Sequence, residues 1–135
     1  MNDLSLVLVD SNVVIDITSR DPHWEEWSAL QLETFAGRLA INPAIYAELC
    51  FPLHSAEEAD QLIAYLGLKY CEFSRETLFF AAQAYRAYRT RGGTKTAPLP
   101  DFFIGAHAVA LGIPIVTRDI TRYQTYFPSV PLISP

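Results

Sequence analysis

The sequence predicts an α/β fold built on a mainly parallel central sheet. Three observations carry that prediction. Short continuous apolar runs at residues 4–9 and 113–117 have the unbroken character of strands buried on both faces. Each of these runs leads into an acid, Asp10 and Asp119. Between them lie stretches of helical periodicity, opened by capping residues and closed by glycine or proline.

The elements follow in order. After the first strand, residues 12–17 read as a short helix. Asp21-Pro22 is a helix start, with the acid as cap and proline in the first turn. That helix carries Trp24, Trp27, Leu30, Leu32 and Phe35, and Gly37 follows it. Residues 38–41 form a second short strand. Asn42-Pro43 repeats the cap-plus-proline signal and opens a helix through Glu48 that Pro52 ends. Ser55 with Glu58 makes a capping box for a helix over 56–66. Residues 68–73 are strand-like. Ser74 caps a longer helix that Gly92-Gly93 stops. A loop over 94–100 leads into a helix at 101–111 that is apolar on nearly every side, so it belongs at the centre. The last strand is expected at 130–133. The chain has no internal repeat and no linker, so residues 1–135 are expected to form a single domain.

Composition removes several function classes. Half of the residues are hydrophobic and 19% are charged, which excludes a disordered or low-complexity chain. No apolar run approaches the ~20 residues that cross a bilayer, and no cationic lead precedes the first apolar run, so neither an anchor nor a signal peptide is expected. The net charge of −5 excludes a simple basic coat for nucleic acid. The two cysteines, Cys50 and Cys71, belong to no zinc-binding spacing and are expected as buried thiols of a reduced, cytoplasmic protein.

Ligands of parallel sheets bind at the carboxyl ends of the strands. That rule selects Asp10 and Asp119. Asp101, at the head of the central helix, and Glu48, an acid among apolar neighbours, are candidates for the same edge. Two unit charges ~4 Å apart repel by ~4 kcal/mol at an effective dielectric of about 20. Three or four such acids require protonation or a cation. No basic residue lies within three positions of Asp10 or Glu48, so a local partner is absent, and a distant one would have to fold back. Oxygen-only donors suit Mg²⁺ or Mn²⁺, and such a centre suits phosphodiester hydrolysis. Each acid alone also reads as a cap or a solvated carboxylate.

At these residues the chain resembles the PIN-domain nucleases, in particular the VapC-type toxins of bacterial toxin–antitoxin pairs. Residues 8–16, with Asp10, look like the opening motif; residues 42–49, with Glu48, the second; residues 100–108, with Asp101, the third; and residues 116–119, with Asp119, the fourth. Tyr126-Phe127-Pro128 and the run after it resemble the usual ending. The resemblance covers almost the whole chain. It implies a three-layer α/β/α sandwich and an Mg²⁺- or Mn²⁺-dependent endoribonuclease that leaves a 5′-phosphate and a 3′-hydroxyl. It also implies a homodimer silenced by a cognate antitoxin, whose tail packs in a groove and can set a basic side chain among the acids. Asp10, Glu48 and Asp101 would be the main metal ligands, with Asp119 holding a second ion or orienting water. Ser11, Asn12 and Thr117 would support the acids by hydrogen bonds, although Ser11 and Thr117 read equally as caps.

The remaining features concern substrate and partners. Arg91, Lys95 and Arg118 are expected at the mouth as phosphate contacts, with Arg122 also flanking Asp119. Arg86 and Arg89 read as a solvated helix end. Asp16 is expected to be exposed or paired with Arg20 four residues on. His107 is expected as a packing residue and the tryptophans as core. A phosphatase pattern is disfavoured because Asn12 stands where a second acid would be needed. A PIN nuclease of RNA maturation and a non-catalytic binding module of the same fold remain open.

Overall fold

The computed structural model describes residues 5–94 and 99–135. Among the described residues a five-stranded sheet has the order β3-β2-β1-β4-β5 and every pairing is parallel. The strands are β1 (Val7–Val9), β2 (Leu39–Ile41), β3 (Lys69–Tyr70), β4 (Ile115–Val116) and β5 (Leu132–Ile133). Seven helices connect them, giving the three-layer α/β/α arrangement: α1 (Ser11–Thr18), α2 (Glu25–Thr34), α3 (Pro43–Cys50), α4 (Ala56–Leu66), α5 (Arg75–Thr90), α6 (Leu99–Leu111) and α7 (Thr121–Gln124).

The order of the strands explains where a site can form. The chain steps outward from β1 through β2 to β3, then returns to the other side of β1 as β4 and β5. The carboxyl ends of β1 and β4 therefore flank the point where the order reverses, the crevice at which parallel sheets bind ligands. Val7, Leu8 and Val9 are fully enclosed, as are Leu39, Ala40 and Ile41, which accounts for their unbroken apolar sequence. β3 differs. It is an edge strand of two exposed residues, and a lysine suits such an edge.

Local signals set the helix starts. Asp10 ends β1 and caps α1, accepting from the Ser11 N–H at 2.8 Å. Asn42 is buried and caps α3 through the Ile45 N–H at 2.9 Å. Ser55 and Ser74 cap α4 and α5 in the same way. Glu58 closes the expected box one residue early, accepting from the His54 N–H at 2.6 Å.

Some boundaries differ from the sequence reading. Asp21 accepts from the N–H groups of His23 and Trp24, so it caps an intervening turn and the helix proper starts at Glu25. α6 starts two residues early, because proline is tolerated in a first turn where its missing N–H is not needed. α7 has no counterpart in the expectations. Its four residues lack a side-chain cap. Cys50 and Cys71 are free and half-buried, where buried thiols were expected.

α6 runs through the centre, with Phe102, Ile104, Gly105, Ala106, His107 and Ala108 buried. Gly105 is there for space. A Cβ at this position would overlap the ring of Phe127, so the segment after β4 reaches the helix only because the side chain is missing. His107 is a packing residue, as expected: its ring sits 3.1 Å from the Asn42 amide and burial lowers its pKa from the usual 6.5.

Candidate active site

Three elements deliver three acids to one point. Asp10 comes from the end of β1, Glu48 from α3 and Asp101 from the first turn of α6. The point is filled by the guanidinium of Arg122, on α7. Its Nη1 donates to Asp10 Oδ1 at 2.7 Å, its Nη2 to Glu48 Oε2 at 2.6 Å and its Nε to Asp101 Oδ1. The electrostatic requirement for a cation is therefore met in part from within the chain, by a residue 112 positions away from Asp10. The side chain of Arg122 is 12% exposed and that of Asp10 is fully enclosed, whereas Glu48 and Asp101 keep about 28% and 32% open to solvent.

The neighbours of Asp10 hold it in one orientation. Its Oδ2 accepts from Thr117 Oγ1 at 2.9 Å and from the Tyr123 hydroxyl at 2.8 Å, with the Asn12 amide at 3.4 Å. Asn12 also donates to Thr117 Oγ1 at 3.2 Å and accepts from the Arg118 N–H at 3.2 Å, tying the end of β1 to the turn after β4. Ser11 Oγ donates to Glu48 Oε1 at 2.8 Å, so it orients the second acid. Ser11, Asn12 and Thr117 thus all touch the acid cluster. Ser11 is not the cap of α1, since its own N–H is capped by Asp10, whereas Thr117 also accepts from the Asp119 N–H and so holds the turn and the carboxylate together.

Burial pushes the carboxyls of Asp10 and Asp101 above their ordinary value, and Arg122 pulls both back only in part. For Arg122, burial works against the charge, but Asp10, Asp101 and Glu48 outweigh it and raise its pKa further. Tyr123 is pushed well up by burial and by Asp10, so it stays a hydrogen-bond donor. Three acids against one permanent cation leave a formal excess of two negative charges.

The structure separates the other expected residues from this point. Asp119 is exposed and its carboxylate accepts from Thr121 Oγ1 at 2.8 Å rather than from Arg122. Arg118, expected at the substrate, is turned the other way. Its Nε and Nη2 grip Asp16 at 2.6 and 2.7 Å, and its guanidinium lies 5.1 Å from the Trp24 ring centroid. Asp16 is accordingly buried, and it also accepts from Ser28 Oγ at 2.7 Å. The expectation of an exposed Asp16 or an Asp16–Arg20 pair fails because Arg20 has left the helix, with φ of 56°, and faces Glu25 instead. Arg91 is exposed, over the Tyr126 ring at 5.5 Å. Lys95 lies outside the described residues. Arg122 was expected only in the basic rim beside Asp119 and not among the acids, and Tyr123 was not expected in the site. Their signal was position: they lie within four residues of Asp119, on a turn at the carboxyl edge of the sheet.

Next to Glu48 a groove of about 640 Å³ opens, lined by Pro43, Ala44, Ala47, Phe51, Phe73 and Phe103 among others. Phe51 is 92% exposed at its wall. Among the described residues no group of three His, Cys, Asp or Glu side chains is spaced to hold a metal ion as it stands, since the acids are arranged around a guanidinium.

Comparison with known proteins agrees with this architecture. No curated protein sequence matches the chain significantly. Among solved structures, a chain of VapBC2 from Rickettsia felis bound to a DNA fragment from its promoter superposes with a TM-score of 0.71 at 19% identity, covering 94% of this chain and 96% of that one. VapBC-1 from nontypeable Haemophilus influenzae gives 0.72 at 15% identity, covering 96% and 97%. A toxin–antitoxin complex from Klebsiella pneumoniae gives 0.68 at 20%, covering 92% and 94%. The family model described as PIN domain matches residues 7–127, and with the fold it shows that the chain belongs to the PIN domain family.

Proposed function

We propose that this chain is a VapC-type toxin, a metal-dependent endoribonuclease that folds as one PIN domain over residues 1–135 and hydrolyses RNA phosphodiester bonds. The observation that carries this reading is the convergence of Asp10, Glu48 and Asp101 on one cationic group at the carboxyl edge of β1. A purely structural cluster has no need of two excess negative charges beside a solvent opening.

The donor chemistry fits a hard divalent ion, since every converging atom is a carboxylate oxygen. Asp10, Glu48 and Asp101 would hold Mg²⁺ or Mn²⁺, and Asp119, at the start of the α7 turn, would hold a second ion or orient water. A bound ion of this kind supplies an activated water and stabilises charge on the phosphoryl oxygens. The protein's own contribution is orientation. Thr117, Tyr123 and Asn12 fix the Asp10 carboxylate, and Ser11 fixes Glu48. Arg91 and Lys95 are the proposed phosphate contacts. The apolar groove beside Glu48, with Phe51 on its wall, is the proposed seat of a cognate antitoxin segment. A homodimer in the cytoplasm completes the reading. Among the described residues no helix is long and apolar enough to cross a membrane.

The test is single-turnover cleavage of total cellular RNA by the purified chain with Mg²⁺, Mn²⁺ or EDTA, beside folded Asp10→Asn and Asp101→Asn variants. Cleavage at discrete sites that needs metal and falls by at least about 100-fold in both variants is expected, a loss of about 2.7 kcal/mol in transition-state stabilisation. Equal cleavage by wild type and variants, or none with either metal, would overturn it.

A further inference from the structure

The three carboxylates proposed to hold a metal are already engaged, and what engages them belongs to the same chain. We propose that Arg122 is a built-in competitor for the metal position, so that the cation site is closed by the side chain of Arg122 and opens only when that side chain moves aside. This deepens the proposed function and rests on its reading of the acids.

Geometry makes the two occupants exclusive. The guanidinium touches one oxygen of each acid at hydrogen-bond distance, and each of its three nitrogens is used. An Mg²⁺ or Mn²⁺ ion bonded to the same oxygens would sit inside the envelope of the guanidinium and face its positive charge at close range. Arg122 cannot relieve this by losing a proton, because guanidinium stays charged in proteins. It has to leave.

The structure also offers a place for it to go. A cavity of about 230 Å³ adjoins Arg122 on its α7 side, lined by Asp101, Thr121, Thr125 and Tyr126 among others. A rotation of the side chain into this space takes the guanidinium out from between the three carboxylates and breaks its hydrogen bonds to them. The backbone need not follow, because Tyr123 anchors α7 from the neighbouring position through its hydroxyl on Asp10. The displaced cation then stands at the rim of the acid cluster, where it can meet a phosphate.

The competition is read by metal binding to the full chain after EDTA treatment. Titration calorimetry with MnCl₂ compares wild type, Arg122→Ala, Arg122→Lys and the double variant Asp10→Asn/Arg122→Ala. Arg122→Ala should bind Mn²⁺ at least about tenfold more tightly than wild type, with Arg122→Lys between them and the double variant losing the gain. Equal affinities in wild type and Arg122→Ala would overturn the competition and leave the metal site standing. Failure of Arg122→Ala to bind Mn²⁺ at all would overturn the metal reading and the competition with it. A measurement on the unaltered protein guards against a variant that does not fold: the Nε–H of Arg122 should be protected from solvent exchange without metal and lose that protection as Mg²⁺ saturates. Protection that persists at saturating Mg²⁺ would overturn the proposal.

Discussion

Two arginines four residues apart, Arg118 and Arg122, end in two buried acid clusters of unequal charge. Arg118 meets one acid, Asp16, through two of its nitrogens, and Ser28 supplies the remaining hydrogen bond. Charge is balanced, and the cluster pins α1, α2 and the turn after β4 together. Arg122 meets three acids with three nitrogens, and the cluster keeps an acid excess facing a solvent opening. The side chains are chemically alike. The difference lies in the ratio of acid to base, and that ratio separates a fastening from a place where another cation can bind. A buried pair is held by its own complement, whereas an unbalanced cluster stays dependent on whatever cation it can recruit.

Removing one member of each cluster, the base from one and the acid from the other, breaks the comparison where it should be sharpest. Arg122→Ala in EDTA leaves three acids without a cation and should cost about 3–5 kcal/mol in urea unfolding. Mn²⁺ should restore much of that loss. Asp16→Ala should cost less, about 1–3 kcal/mol, because Arg118 is a quarter exposed and can turn to water. Its loss should be the same with and without Mn²⁺. A metal-responsive Asp16→Ala would show that the two clusters are one network. At the hydroxyls the contrast narrows: Thr117→Val and Ser28→Ala should each cost about 1–2 kcal/mol, the order of one net hydrogen bond. Only Thr117→Val should also weaken Mn²⁺ binding in calorimetry, since Ser28 touches only the balanced pair.

The smallest effects are in the pH profile, and two groups give opposite signs. The Asp10 carboxyl is held above its unfolded value of 3.8, so the folded state binds its proton more tightly than the unfolded one. Its contribution favours folding at low pH and is lost as pH rises from 3.8 through the raised value. His107 is held below 6.5 by burial, so its contribution is present above 6.5 and is lost as pH falls beneath it. Melting temperature against pH should therefore lose part of its acid-side decline in His107→Gln. Asp10→Asn should instead remove a decline that runs the other way. Unchanged slopes in both variants would show that neither group titrates differently on folding.

The sheet and the first acid were legible in the sequence because both are local. Residues 7–9 and 39–41 are continuous apolar stretches, and Asp10, Asn42, Ser55 and Ser74 announce the helices they cap. The support of Asp10 by Thr117 was anticipated from the resemblance at the fourth motif, not from any local pattern. What escaped was which of two nearby arginines turns toward Asp10. Both flank Asp119, and both carry the same charge. Their partners Asp16, Glu48, Asp101 and Asp10 lie 21 to 112 positions away, through chain reversals that no periodicity encodes. α7 was missed for a related reason. Thr121 to Gln124 has no cap and no apolar stripe, and the turn is held by Tyr123 reaching a carboxylate across the molecule. Asp16 was misplaced because a helical i,i+4 partner was in view, and a distant arginine with a serine satisfied it better.

Gly105 ties the durability of this protein to the state of its acid cluster. Replacing a helical glycine by alanine is an ordinary route to heat resistance, worth roughly 0.5–1 kcal/mol per site. At this position the added methyl would collide with Phe127 and lever the segment that carries Arg122 and Tyr123 away from α6. Helix propensity alone would favour Gly105→Ala, but the overlap with a buried ring makes the change a loss of stability.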